Sequence, residues 1–141
     1  MNNEVAEAGI LPEWHAWNAT ERVHADMSCI HLLFDRAASR NPRKIAVRCG
    51  GRQLSFGELA ERANRLAASL QTAGVNHGSI VGVGLPRSAD AVVAMLAVLK
   101  CGGAYLPLDP ALPGDRIEFM LAEAGVSVVV TSISESQAAS N

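Results

Sequence analysis

The stretch Leu99-Lys100-Cys101-Gly102-Gly103-Ala104-Tyr105-Leu106-Pro107-Leu108-Asp109-Pro110 decides how this chain is read. It closes an apolar helix, turns on two glycines, runs a short strand and stops on prolines. Upstream of it, Ser88 is placed to cap a helix reaching about Lys100. Ala91, Val92, Met95, Leu96 and Leu99 line one side of that helix. Val93, Ala97 and Val98 leave it little polar face, so it is expected to be largely buried. Pro107 has no N–H to give to a ladder, so the strand over 104–106 ends there or runs along an edge.

Working outward, Ile80-Val81-Gly82-Val83-Gly84-Leu85 reads as a strand apolar on both faces, as in a covered parallel sheet. Beyond the central stretch, Pro113 suits the first turn of another helix. Its apolar stripe is Ile117, Met120, Leu121 and Ala124, and its stop is Gly125. Residues 126–131 form a last buried strand, and the chain is polar and small from Ser132 onward.

Toward the N-terminus, a helix is expected from near Cys29 to Ser39. Its apolar face is Ile30, Leu33, Phe34, Ala37 and Ala38, and it is ended by Asn41-Pro42. Residues 45–49 and 52–54 read as a hairpin turning on Gly50-Gly51. Ser55 with Glu58 three residues on is a capping box, and Leu54 can staple onto Leu59. That helix buries Leu59, Ala63, Leu66, Ala67 and Leu70, and it ends at Gly74. Glu58 with Arg62 and Glu61 with Arg65 are spaced as i,i+4 pairs. The sum is an α/β fold with three parallel strands joined by crossover helices, plus a β-hairpin.

The chain has 141 residues, 49% of them hydrophobic and 4% aromatic, so Ala, Val and Leu must fill one domain's core. The net charge is −2, and the twelve Lys and Arg read as scattered singly, usually near acids. That balance gives no footprint for nucleic acid or an anionic membrane. The longest apolar run, over 89–99, is too short to span a bilayer. Cys29, Cys49 and Cys101 are odd in number and widely spaced, which suits a reducing cytoplasm and no disulfide framework. Residues 1–25 have no helical or alternating period. Their two aromatics, Trp14 and Trp17, suit a strap that docks on a partner.

The candidate chemistry is sparse. Gly82-Val83-Gly84 invites a dinucleotide reading, but Arg87 stands where a third glycine belongs, and packing of sheet on helix accounts for it better. His15, His24, His31 and His77 are not spaced as metal ligands. Ser55, Ser79 and Ser88 lack the base and the strained turn of a nucleophile. Asp109 and Asp115 flank a turn and suit turn and helix-start duties. Arg87 either faces a cleft at a strand's carboxyl end or is solvated. Cys101 beside a helix C-terminus reads as a small buried hydrophobe. No catalytic, cofactor-binding or metal-binding residue is assigned.

Leu54-Ser55-Phe56-Gly57-Glu58-Leu59 resembles the first core motif of the adenylation domains of nonribosomal peptide synthetases, Leu-Thr/Ser-Tyr-x-Glu-Leu, with Phe56 for the usual Tyr. Residues 99–109 resemble the second, Leu-Lys-Ala-Gly-x-Ala-Tyr-Leu/Val-Pro-Leu/Ile-Asp, with Cys101 for the usual Ala. Asp109-Pro110 with Pro113 and Arg116 follows the same pattern. Trp17-Asn18-Ala19-Thr20 and Ile30-His31-Leu32-Leu33-Phe34 resemble the linker between a condensation domain and an adenylation domain.

The resemblance implies a linker strap over 1–25 and, over 26–141, an incomplete part of the N-terminal lobe of an adenylate-forming enzyme. It implies that the intact enzyme uses ATP and Mg2+ to turn an amino acid into an aminoacyl adenylate, then passes the acyl group to a carrier. The implied partners are the remainder of the adenylation domain, a condensation domain and a carrier protein domain, with no nucleic acid and no membrane. In the family the phosphate loop, the metal-binding acids and the catalytic lysine lie beyond the matched motifs, so the chain alone is expected to be inactive. Two other readings are a non-catalytic binding or scaffold module and a piece of an acyl-CoA ligase.

Overall fold

The computed structural model describes residues 17–21 and 29–132. Most of the 1–25 strap, including Trp14, lies outside the described residues. Trp17 lies inside them and is exposed. The element order is α1 (Ile30–Arg40), β1 (Ile45–Cys49), β2 (Arg52–Ser55), α2 (Phe56–Thr72), β3 (Ile80–Gly84), α3 (Ala89–Lys100), β4 (Ala104–Pro107), α4 (Gly114–Glu123) and β5 (Val128–Thr131).

The sheet is parallel with the order β4-β3-β5. Val81 is in register with Tyr105 on one side and Val128 on the other. β1 and β2 form a separate antiparallel hairpin, in which Cys49 pairs with Arg52 across Gly50-Gly51. The α/β layout expected from the sequence is therefore the observed one: three parallel strands and a hairpin.

Four layers stack. α2 and α3 pack together in the middle. On one side, Ala67, Leu70, Val81, Ala97 and Val98 make a core against the sheet, with Val128 and Val130 partly buried on it. On the other side, Leu59, Ala63, Val93 and Leu96 make a second core, covered by Phe34, Val47 and Leu54. Leu66 touches both clusters. α4 lies against the opposite face of the sheet, where a Cβ on Gly82 would come within 3.0 Å of Leu108, 3.1 Å of Val129 and 3.3 Å of Leu121. Gly82 is thus a packing glycine.

The sequence patterns misplace some faces. Ile30 is 68% exposed and Leu33 39%, because α1 meets α2 and α3 from Phe34 and Asp35 onward. The best-buried side of α3 is Ala94, Ala97 and Val98, shifted from the Met95 and Leu99 side, because cores press on it from both directions. β5 is an edge strand, with Val129 42% exposed, and it is not buried on both faces. Asp35 also takes a partner that spacing along α1 does not show: both its carboxylate oxygens, at 2.5 and 2.6 Å, accept from Lys100 Nζ at the end of α3.

Local signals fare better. The Glu58 N–H donates to Ser55 Oγ at 3.2 Å, and the Ser55 N–H donates to Glu58 Oε2 at 2.8 Å, completing the capping box at the start of α2. Ser88 Oγ accepts from the Ala91 N–H at 3.2 Å. The turn after α3 needs both its glycines. Gly102 has φ +75°, and a Cβ on Gly103 would lie 2.8 Å from the Ser79 carbonyl oxygen. That approach is held by bonds from the Gly78 N–H to the Gly102 oxygen and from the Ala104 N–H to the Ser79 oxygen.

Gly103→Ala should therefore lower the urea midpoint by the equivalent of roughly 1–3 kcal/mol, with the slope of the transition unchanged. Ser55→Ala should cost about 1 kcal/mol at neutral pH. The backbone N–H and then the hydroxyl of Ser55 hold the Glu58 carboxyl below its ordinary range. A carboxyl lowered by folding stabilises above its unfolded pKa, and the gain is lost as pH falls through the folded value. The stability gap between the native chain and Glu58→Gln should accordingly close on acidification, as read by urea unfolding at a series of pH values.

Candidate functional site

In an open parallel sheet, ligands bind beyond the carboxyl ends of the strands where successive connections leave in opposite directions. Here β3 leads to β4 on one side, and β4 leads across to β5 on the other. The crevice between the ends of β3 and β5 is that place. A cleft of about 460 Å3 occupies it, lined by Arg62, Arg65, Leu85, Asp90, Thr131 and Ser132 among others. A second cleft, of about 550 Å3, sits beyond β3 and β4 over Leu85, Arg87, Met95, Pro107, Leu108 and Asp109.

The charges in the first cleft are already engaged. Arg62 Nη2 lies 2.6 Å from Asp90 Oδ1, with both side chains partly exposed. Arg65 lies 3.4 Å from Glu61, so this i,i+4 pair forms as the spacing predicts. The expected Glu58–Arg62 pair does not form. Glu58 is turned back to the N-cap, and Arg62 reaches across to the first turn of α3. An anion entering this cleft competes with Asp90 for Arg62, so the cleft is not a ready phosphate site.

In the second cleft, Asp109 Oδ1 accepts from the Ala111 N–H at 3.0 Å, and its carbonyl accepts from Leu112. That is the turn duty expected of it. Asp115 lies in the first turn of α4, exposed. Arg87 is exposed and lines this cleft, so it faces a concavity and solvent together. Ser88 is committed to its cap. Ser79 Oγ accepts from the Asn76 N–H at 3.0 Å in the turn before β3.

His31 and His77 lie on α1 and in the turn before β3, and His15 and His24 fall outside the described residues. Among the described residues, no group of three or more His, Cys, Asp or Glu could hold a metal ion, and no helix is long and apolar enough to cross a membrane. The cross-helix Arg62–Asp90 pair is the feature the sequence reading missed. Its partners are 28 positions apart, so no local spacing signals it.

Cys101 is buried, and its S–H donates to the Ala67 carbonyl at 3.4 Å. Burial pushes its thiol up, so at neutral pH it holds its proton and is a poor nucleophile. Cys29 is exposed. Alkylation followed by peptide mapping should therefore label Cys29 quickly in the native chain and Cys101 only after unfolding.

Comparison with known proteins agrees with this geometry. The profile of the AMP-binding enzyme family matches residues 34–141. A plipastatin synthase polypeptide of Bacillus subtilis (strain 168) is 47% identical over 117 residues, which is 83% of this chain and 5% of that protein. Bacitracin synthase 3 of Bacillus licheniformis is 41% identical over 135 residues, 92% of this chain and 2% of that protein. The solved N-terminal subdomain of Klebsiella oxytoca NpsA, in complex with anthranilyl-AMSN, superposes with a TM-score of 0.71 at 29% identity, covering 75% of this chain and 28% of that one. An artificially fused adenylation–PCP di-domain from the same organism, NpsA-ThdA, has a TM-score of 0.71 at 28% identity, over 77% of this chain and 21% of that one. The chain thus spans a twentieth or less of these two synthetases. It is a member of the AMP-binding enzyme family, folded as part of the N-terminal subdomain of a nonribosomal peptide synthetase adenylation domain.

Proposed function

We propose that this chain supplies the structural start of an enzyme that activates an amino acid as its aminoacyl adenylate for loading onto a carrier protein. The observation that carries the reading is the coincidence of the 34–141 family match with a superposition on the NpsA subdomain. The two motif regions do shape-setting work within it: one caps α2, the other closes α3 and places β4. Neither the scaffold-module reading nor the acyl-CoA ligase reading is favoured by the synthetases that resemble this chain.

ATP and Mg2+ are the cofactors of the proposed reaction, and the described residues do not fit them. Arg62 and Arg65 are each matched to a carboxylate, and no cluster of acids among the described residues is poised for a metal. No step is therefore assigned to these side chains. Triphosphate binding and the chemistry would fall to other parts of the adenylation domain. The partners we propose are the rest of that domain, a carrier protein domain and a condensation domain. Three free thiols, Cys29, Cys49 and Cys101, support a reducing cytoplasmic setting.

Amino-acid-dependent exchange of pyrophosphate into ATP tests this reading. The purified chain should show none with any of the common amino acids. A chimera carrying residues 34–131 in place of the matching stretch of NpsA should exchange with the acid that NpsA activates. Exchange by the chain alone, or a folded chimera without exchange, would contradict the proposal.

A further inference from the structure

The cations of this chain are not spread evenly. Arg36, Arg40, Arg43, Lys44, Arg48 and Arg52 fall within seventeen residues that hold no Asp or Glu. The rest of the chain sets six Lys and Arg against all fourteen acids, a net charge of −8. The folded chain keeps this segregation. The six cations sit on α1, on the connection over 41–44 and on the hairpin, the outer layer on the far side of α2 and α3 from the sheet. All six are exposed. Among the described residues, Arg40, Arg43, Lys44, Arg48 and Arg52 make no ion pair, whereas Arg62, Arg65 and Lys100 each hold a carboxylate.

The backbone under the band is fixed. The Phe56 N–H donates to the Lys44 oxygen and the Gly57 N–H to the Pro42 oxygen, both at 2.9 Å, which pins the Asn41–Lys44 connection to the start of α2. The hairpin ladder holds Arg48 opposite Gln53 and Arg52 opposite Cys49, so these two cations leave opposite faces of the hairpin, and Arg48 is the one on the face away from Val47 and Leu54. Cations on a fixed backbone, without carboxylate partners, lose little freedom when an anionic surface meets them. Unlike the cleft between β3 and β5, where Arg62 and Arg65 are paired, the band presents charge that is not already neutralised.

We infer that the band Arg40–Arg43–Lys44–Arg48 is a docking surface for a compact acidic protein surface, one rich in Asp and Glu. Charge complementarity selects an anion, and the form of the patch selects protein over nucleic acid. The band contains no Phe, Tyr or Trp on which a base could stack. A long polyanion would overrun it onto the acidic remainder of the chain, whereas a compact carboxylate cluster sits on the band alone. The band would act in this way whether or not the adenylation reading holds.

Anisotropy of a labelled hexaglutamate peptide, titrated with the full chain, tests it. Binding should saturate at low ionic strength and weaken as salt is added. The triple variant Arg43→Glu/Lys44→Glu/Arg48→Glu should weaken it at least about tenfold. The single variant Arg43→Glu should weaken it more than the charge-matched Arg116→Glu, which reverses a cation on α4. Circular dichroism verifies the fold, and should the triple variant fail to fold, the salt titration of the native chain and the two single variants decide. Any of four results overturns the inference: no saturable binding at low salt; equal losses in Arg43→Glu and Arg116→Glu; tighter binding to a thymidine hexanucleotide or to phosphatidylserine vesicles than to the peptide; or peptide binding that emerges only when Glu4, Glu7 and Glu13 are changed to Gln, which would give the band to the chain's own N-terminal acids.

Discussion

The close contact between α2 and α3 is the constraint on which the rest of this fold depends. Ala63, Ala67, Ala94 and Ala97 are all buried on these two helices, three of them completely. Small side chains let two helices approach and leave room for larger neighbours to wrap them on both sides. The sheet takes one side through Val81, Val128 and Val130, and the hairpin and α1 take the other through Val47, Leu54 and Phe34. Ala94 and Ala97 are completely buried, so a large side chain at either would overpack the helical layer. The low aromatic content follows from the same geometry, because a thin helical layer packed on both sides is filled better by Ala, Val and Leu than by rings.

Much of this was legible in the sequence because its signals are local. Ser55 and Glu58 are three residues apart, so their reciprocal bonds can be read from spacing. Gly50, Gly51 and Gly102 sit at positive φ, which glycine adopts without strain in any context. The helix–turn–strand order around residues 99–107 fixes a parallel crossover, since chain direction and right-handed connection leave few alternatives. What could not be read was decided by tertiary partners. The period along α1 is the same whether Ile30 is covered or bare. Glu58–Arg62 is a sound i,i+4 spacing, yet the N-cap claims the carboxylate and Asp90, far along the chain, claims the guanidinium. β5 looks buried on both faces by composition, but its position at the sheet edge leaves Val129 partly in water.

The candidate site was legible in a different sense. The residues weighed for chemistry, Ser55, Ser79, Ser88, Asp109 and Cys101, each turn out to hold backbone or core in place. The clefts at the strand ends could not be located from sequence, because the strand order β4-β3-β5 that creates them is a property of the assembled sheet. Even there, the cations of the crevice between β3 and β5 are paired, Arg62 with Asp90 inside it and Arg65 with Glu61 outside it. The family's shared start is therefore best understood as a scaffold whose caps, glycines and alanines set the positions of strand ends.

Native-state amide hydrogen exchange, followed residue by residue, tests the primacy of the helical layer most directly. The slowest amides should lie in α2, α3 and β3, with common opening energies that show these elements unfold together, while the hairpin and α4 exchange through smaller openings. Slower exchange in the hairpin or α4 than in α2 and α3, or independent opening of α2 from α3, would contradict the account.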